Sequence, residues 1–249
     1  MNFKLNDINP LIEQALEENP TGDDWLDARY DEQAPLINHS NPYYKLFYLL
    51  AQKLQPQTVV ELGGWQGTGA AHFAAGAPEA TVVTIDHHAD PGNEADRAKM
   101  LEATQQYPNI KYLRGWTTPG YAEEYPKVAS DGFEPMSVFP IVADQILSLG
   151  KYKIDILYID SWHEGKYFKR DWDYYSPLLA NPALVICDDV FDNHIFIDMI
   201  KTFEALPGDK FTNGQVHPGI PMGFIKYEVK PTATARKPRK TRRTTKKTA

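Results

Sequence analysis

Three carboxylates and one imidazole sit where two apolar runs stop. Asp160 and His163 follow the run Ile154–Ile159, while Cys187, Asp188 and Asp189 close the run 183–186. Acids gathered at one rim repel one another unless they are protonated or bridged by a cation. A metal ion is the economical reading of that pattern.

Both runs are short, apolar and rich in β-branched residues, as fully buried strands are. Between them, 165–180 repeats Tyr167, Phe168, Trp172, Tyr175 and Leu179 at three- and four-residue steps, with Pro177 near its end, and predicts a helix. On that helix Asp171 and Asp173 are expected to face solvent. A strand-helix-strand unit runs its strands parallel and opens a ligand crevice beyond their carboxyl ends. Upstream the same alternation predicts strands at Thr58–Leu62, Thr81–Asp86 and Ile110–Arg114, with helices at Tyr43–Leu54, 67–75 and 94–107. Helices at 7–18, 140–149 and 193–206 and a last strand at 224–229 complete the pattern. The expected fold is α/β, a doubly wound, mostly parallel sheet with helices on both faces. Residues 116–139 break the rhythm with Pro119, Gly120, Pro126, Gly132 and Pro135, and read as an insertion or lid. Residues 1–42 read as a helical and irregular extension, and 43–229 as one domain.

A chain of 249 residues with 42% hydrophobic content supports one domain with a substantial core. Without a run of ~18 apolar residues or an apolar signal core, it is expected to be soluble and cytoplasmic, with no membrane partner. A single cysteine excludes an intrachain disulfide and a cysteine zinc cage, and Cys187 reads as a buried, inert thiol. The net charge of −7 hides two populations, because 230–249 carries nine of the 26 basic residues and no acid. The rest holds 17 basic and 33 acidic residues and should repel nucleic acid. The basic tail cannot bury a core, is expected to be disordered, and could contact nucleic acid or another polyanion.

A second motif runs Glu61, Leu62, Gly63, Gly64, Trp65, Gln66, Gly67. It is a strand end, a glycine turn and a helix start, where backbone can approach a ligand and the helix terminus favours a negative group. No Lys lies between Lys53 and Lys99, so a P-loop is excluded, and the glycines miss the dinucleotide register. Asp86 ends the next strand about twenty residues later, where an acid can bond ribose hydroxyls. A tight turn with no ligand is the alternative. His87 and His88 read as solvated loop residues.

Together these segments resemble class I S-adenosylmethionine-dependent methyltransferases, and in particular their metal-dependent, catechol O-methyltransferase-like branch. Glu61 to Gly67 matches that branch's Glu-Leu-Gly-x-aromatic-x-Gly, Asp160 to His163 its Asp-x-Trp-basic segment, and Asp188-Asp189 its later acid pair. Sugar and antibiotic O-methyltransferases share the His three residues after the first Asp. Catechol enzymes carry Lys at the position of His163 and Asn at that of Asp189, so catechol itself is not implied.

The resemblance implies a seven-stranded Rossmann-like sheet and a cofactor, S-adenosyl-L-methionine, held by Glu61, Gly63, Trp65, Gly67, Asp86 and Trp162. It also implies a divalent cation, Mg²⁺ by choice, on Asp160, Asp188 and Asp189, with Asp160 and His163 catalytic and His163 as the base. Core packing for Trp162 and plain surface exposure for His163 are the alternatives. The implied activity is O-methylation of a hydroxyl on a small molecule or sugar. The rival functions are a non-catalytic binding protein of this fold tethered by its basic tail, and a metal-dependent hydrolase.

Overall fold

The computed structural model describes residues 3–17, 21–33, 43–89, 91–124, 131–148, 153–213 and 222–229. The basic tail, 34–42 of the N-terminal segment and 125–130 of the insertion lie outside the described residues. Helices α1 (Asn9–Leu16), α2 (Asp24–Gln33) and α3 (Tyr43–Leu54) lead into β1 (Thr58–Leu62), α4 (Thr68–Gly76), β2 (Thr81–Asp86), α5 (Glu94–Gln106) and β3 (Ile110–Arg114). After the short α6 (Tyr121–Glu124) come α7 (Phe139–Ser148), β4 (Ile154–Ile159), α8 (Gly165–Tyr175), β5 (Leu179–Cys187), α9 (Met199–Ala205), β6 (Asp209–Asn213) and β7 (Met222–Tyr227). Among the described residues no helix is long and apolar enough to cross a membrane.

The seven strands form one sheet in the order β3-β2-β1-β4-β5-β7-β6. β1 to β5 pair in parallel, whereas β7 is antiparallel to both β5 and β6. The chain winds outward from β1 through β2 to β3, then returns to place β4 on the other side of β1. That reversal makes the carboxyl ends of β1 and β4 the switch point, where such sheets leave a crevice.

Successive side chains of a strand face opposite ways, so each central strand feeds two cores. Val59 and Tyr158 join Phe47 of α3 and Phe73 of α4 on one face, whereas Val60, Leu157 and Ile159 join Val142 of α7 and Phe168 and Trp172 of α8 on the other. The first core also contains Phe3, Ile8, Ile12 and Leu26, so the N-terminal helices seal the same face as α3 and α4. Cys187 is buried in β5, and burial raises its thiol well above the usual range.

Several expected boundaries shift. The helix expected over 165–180 stops at Tyr175, because Pro177 cannot continue it; a 3-10 turn follows, and β5 starts at Leu179, paired with Ile154. The helix expected from 193 begins at Met199, since Asn193 Oδ1 accepts the backbone N–H groups of Ile195 and Phe196 and holds a turn there. The last strand begins at Met222 rather than 224. Helix α2 and the polar edge strand β6 were not anticipated, as neither carries an apolar repeat.

Candidate active site

The glycine loop is built around close backbone approaches. Gly63 adopts φ +89°, and a Cβ there would overlap the Asp160 carbonyl. Its N–H and that of Gly64 donate to Ile85 O at 2.9 and 3.0 Å, tying the loop across to β2. Gly67, at φ +79°, caps the start of α4 where a Cβ would crowd Met100 and Ala103. Beneath the turn lies Glu61, 1% exposed, accepting from the Thr84 hydroxyl at 2.5 Å. Burial pushes its carboxyl up to about 8 against that hydrogen bond, while Asp86 raises it further. Glu61 thus underlies Gly64 and Gly69 and is sealed from the cleft above them.

Asp86 locks the far side of the loop. Its Oδ2 accepts the Trp65 N–H at 2.8 Å, and its Oδ1 accepts the His88 N–H at 3.1 Å. Trp65 is held at φ +41° with its ring exposed. His88 is not solvated, as was expected, but 1% exposed, between the Tyr112 hydroxyl and the Trp65 carbonyl, each at 2.7 Å. A carbonyl only accepts, so Nε2 carries a proton. The histidine is a second clamp on the loop, drawn inward because the loop carbonyl needs a donor.

Above the switch point a cleft with about 360 Å³ of empty space opens between Gly63, Asp86, His87, Trp116, Ser161 and Trp162, with Ile85, Gly115, Thr117 and Tyr121 completing its lining. Aromatic rings form one wall. His87 tilts against Trp116 with ring centres 4.4 Å apart, so it too departs from the solvated placement expected for it. Trp116 stacks on Tyr121 at 5.9 Å, and Tyr121 on Tyr167 at 5.2 Å. Trp116 and Tyr121 come from the insertion, so part of that segment is cleft wall. Arg170 reaches over both tyrosines and pairs with Glu124 at 2.6 Å, fastening α6 to α8. Asp131 is bound by Arg114 and Arg97, and the Arg114 guanidinium lies over Phe133.

Asp171 corrects another expectation. It is fully buried, accepting from the Thr117, Tyr121 and Ser161 hydroxyls under the cleft. Burial raises its carboxyl to about 6, against the three hydroxyls that lower it. The signal was present in the periodicity, since 171 lies on the stripe of Tyr167, Phe168, Trp172 and Tyr175. Asp173 faces outward and pairs with Lys169, as expected.

The acidic rim begins where the cleft ends. Asp160 N donates to Leu62 O at 2.8 Å and Asp188 N to Ile159 O at 3.0 Å, so the sheet ladder carries both acids to the edge. The Tyr158 hydroxyl lies 2.9 Å from Asp160 Oδ2 and 3.2 Å from Asp188 Oδ2, sharing one proton between two carboxylates. Burial, and then the neighbouring Asp188, hold the Asp160 carboxyl well above the usual range. Asp188 turns inward and caps the Asp189 N–H with its Oδ1 at 3.0 Å. Asp189 takes φ +55°, which swings its carboxylate against His163 Nδ1. His163, packed on Phe196 at 5.2 Å, has its pKa lowered by burial, against the neighbouring Asp188, which raises it.

Ligand atoms of Asp160, His163 and Asp189 all lie within 4.8 Å of one another. Two carboxylate oxygens and an imidazole nitrogen, beside a third carboxylate, Asp188, that repels Asp160, fit a hard or borderline divalent cation. The structure therefore converges His163 with Asp160 and Asp189, and places Asp188 behind them. Ser161 and Trp162 face the cleft while Asp160 and His163 form the rim, so four consecutive residues join the two halves of the site.

The family model described as a methyltransferase domain matches residues 60–190. No curated protein matches the chain. Among solved structures, the O-methyltransferase TomG from Streptomyces achromogenes in complex with SAM aligns with a TM-score of 0.56 at 14% identity, covering 90% of this chain and 99% of that one. Cofactor-bound Rv0187 from MTB gives 0.55 at 16% identity, covering 92% and 100%. A methyltransferase from Geobacter sulfurreducens gives 0.52 at 18% identity, covering 89% and 98%. At these identities the likeness is one of fold.

Proposed function

Since this chain belongs to the methyltransferase-domain family, whose model spans just over half of it, we propose that it is an S-adenosylmethionine-dependent O-methyltransferase whose acceptor hydroxyl is presented at a divalent-cation rim. The observation that carries this reading is the continuity of cleft and rim through Asp160, Ser161, Trp162 and His163. A donor held in the cleft and an acceptor held at the rim would meet at the switch point.

In this reading Asp86 offers carboxylate lone pairs to the ribose, the bare backbone at Gly63 allows close approach, and the aromatic wall of His87 and Trp116 packs on the base. Asp160 and Asp189 would hold the cation, with Asp188 and the Tyr158 hydroxyl behind them fixing Asp160 and with His163 directed at Asp189. When bound, S-adenosylmethionine supplies an electrophilic sulfonium methyl, and the cation supplies Lewis acidity toward the acceptor hydroxyl. With its Nδ1–H directed at the Asp189 carboxylate, His163 would take up the acceptor's proton at Nε2. The rim aligns the hydroxyl, so orientation supplies much of the rate. The acceptor is a small molecule or sugar. A hydrolase would use the rim and leave the cleft without a task.

The test is methyl transfer from labelled S-adenosylmethionine to a panel of hydroxyl acceptors. Activity should vanish with chelator and return with Mg²⁺ or Mn²⁺. Asp160→Ala should lose that activity and still bind S-adenosylhomocysteine by calorimetry. Turnover indifferent to both chelator and Asp160→Ala would overturn the proposal.

A further inference from the structure

Asp171 lies under the cleft with no share in the rim, and three hydroxyls meet on it. Thr117 Oγ1 donates to Oδ1 at 2.7 Å, the Tyr121 hydroxyl donates to Oδ2 at 3.2 Å, and Ser161 Oγ donates to the same Oδ2. All three residues also line the cleft. A hydroxyl owns one proton and two lone pairs, whereas an ionised carboxylate only accepts. Each hydroxyl must therefore spend its proton on Asp171 and turn lone pairs elsewhere. The arrangement is held from behind, because the Tyr175 hydroxyl donates to Thr117 O at 2.8 Å and Asp171 itself is 0% exposed. With its carboxyl at about 6, Asp171 is ionised at neutral pH.

We propose that Asp171 is a positioning residue that fixes Ser161, Thr117 and Tyr121 as acceptors toward the cleft, so that the cleft selects a purine carrying an exocyclic amino group over its 6-oxo counterpart. The inference rests on the reading that the cleft takes the adenosyl group. An amino group would donate to these lone pairs. A 6-oxo group would set its own lone pairs against them, and a buried acceptor facing an acceptor loses its partner outright. The three hydroxyls come from two segments at least 40 residues apart in sequence, so one buried carboxylate coordinates a recognition edge that neither segment could set alone.

The experiment is calorimetric titration of the whole protein with S-adenosylhomocysteine and with its deaminated analogue, S-inosylhomocysteine. The wild type is expected to prefer the adenosyl compound by at least about tenfold, as expected for one lost hydrogen bond with an unpaired partner. In Asp171→Asn the amide donates where a carboxylate oxygen accepted, which forces one hydroxyl to turn its proton into the cleft. Adenosyl affinity should fall about tenfold while inosyl affinity holds or improves, a change in ratio that mere loosening of the fold would not produce. Ser161→Ala, which leaves Asp171 in place, should weaken adenosyl binding more than inosyl binding and covers the case in which Asp171→Asn does not fold. Equal binding of the two compounds by the wild type, or an unchanged ratio in a folded Asp171→Asn, would overturn the inference while leaving the methyltransferase reading intact. Failure of the wild type to bind either compound would remove that reading and this inference together.

Discussion

Replacing Glu61 with Gln is expected to stabilise the protein at neutral pH and to flatten its pH dependence. Glu61 lies in β1 beneath the glycine loop, 1% exposed, and burial raises its carboxyl to about 8. In an unfolded chain the same group titrates near about 4.3. Between those values the folded state holds one more proton than the unfolded state, so stability falls as pH rises, by up to about 1.4 kcal/mol per pH unit, and levels off above the folded value. From roughly pH 5.5 to 7.5 the loss attributable to Glu61 is about 2.5 kcal/mol, a large share of a typical domain's stability. Gln is neutral in both states and carries no such slope. Its geometry suits the site, because its carbonyl can accept from the Ala70 N–H and its amide can donate to Thr84 Oγ1, the two partners that Glu61 has now. Urea unfolding of both proteins across this pH range, with chelator present, isolates the effect, since every other titrating group is common to the pair. Stability curves that run parallel would refute the reasoning, as would a Gln variant less stable than the wild type at the upper end. The variant should also keep its affinity for S-adenosylhomocysteine, because Glu61 supports the loop from below.

Two further substitutions probe the cleft. Gly63→Ala places a Cβ on the Asp160 carbonyl at a left-handed φ, so backbone must move; with ~1–2 kcal/mol from the conformation alone, melting several degrees lower and binding of S-adenosylhomocysteine weakened more than about tenfold are expected, and wild-type binding would contradict the tight approach drawn here. Trp116→Ala removes a ring that stacks on both His87 and Tyr121 and is expected to cost about 3 kcal/mol in chemical unfolding together with most of the cofactor affinity. Full affinity in that variant would place the base away from the aromatic wall.

Much of the architecture was legible because its signals are local. Strands β1, β2 and β4 are rich in β-branched and apolar residues and end at or just before Gly63, Asp86 and Asp160, so their carboxyl limits follow from local signals. The glycine loop and the acids at 86, 160, 188 and 189 were visible for the same reason, since each is punctuation at a strand end. Edge strand β6 was invisible, because Asp209, Lys210, Thr212 and Asn213 lack the alternation that a half-buried strand shows, and only pairing with β7 makes them a strand.

By itself, then, the sequence determined which segments alternate, where the chain turns, and which residues could carry charge to one rim of a sheet. Tertiary structure alone decided how those charges divide. Asp188 and Asp189 are adjacent, yet the left-handed backbone at Asp189 sends one carboxylate to His163 and leaves the other sharing the Tyr158 proton with Asp160. His88 and Asp171 look like surface residues until the Trp65 carbonyl and three hydroxyls, brought in from other segments, supply the partners that offset their burial. A polar side chain is buried only where hydrogen-bond partners meet it, and those partners assemble only when the sheet closes.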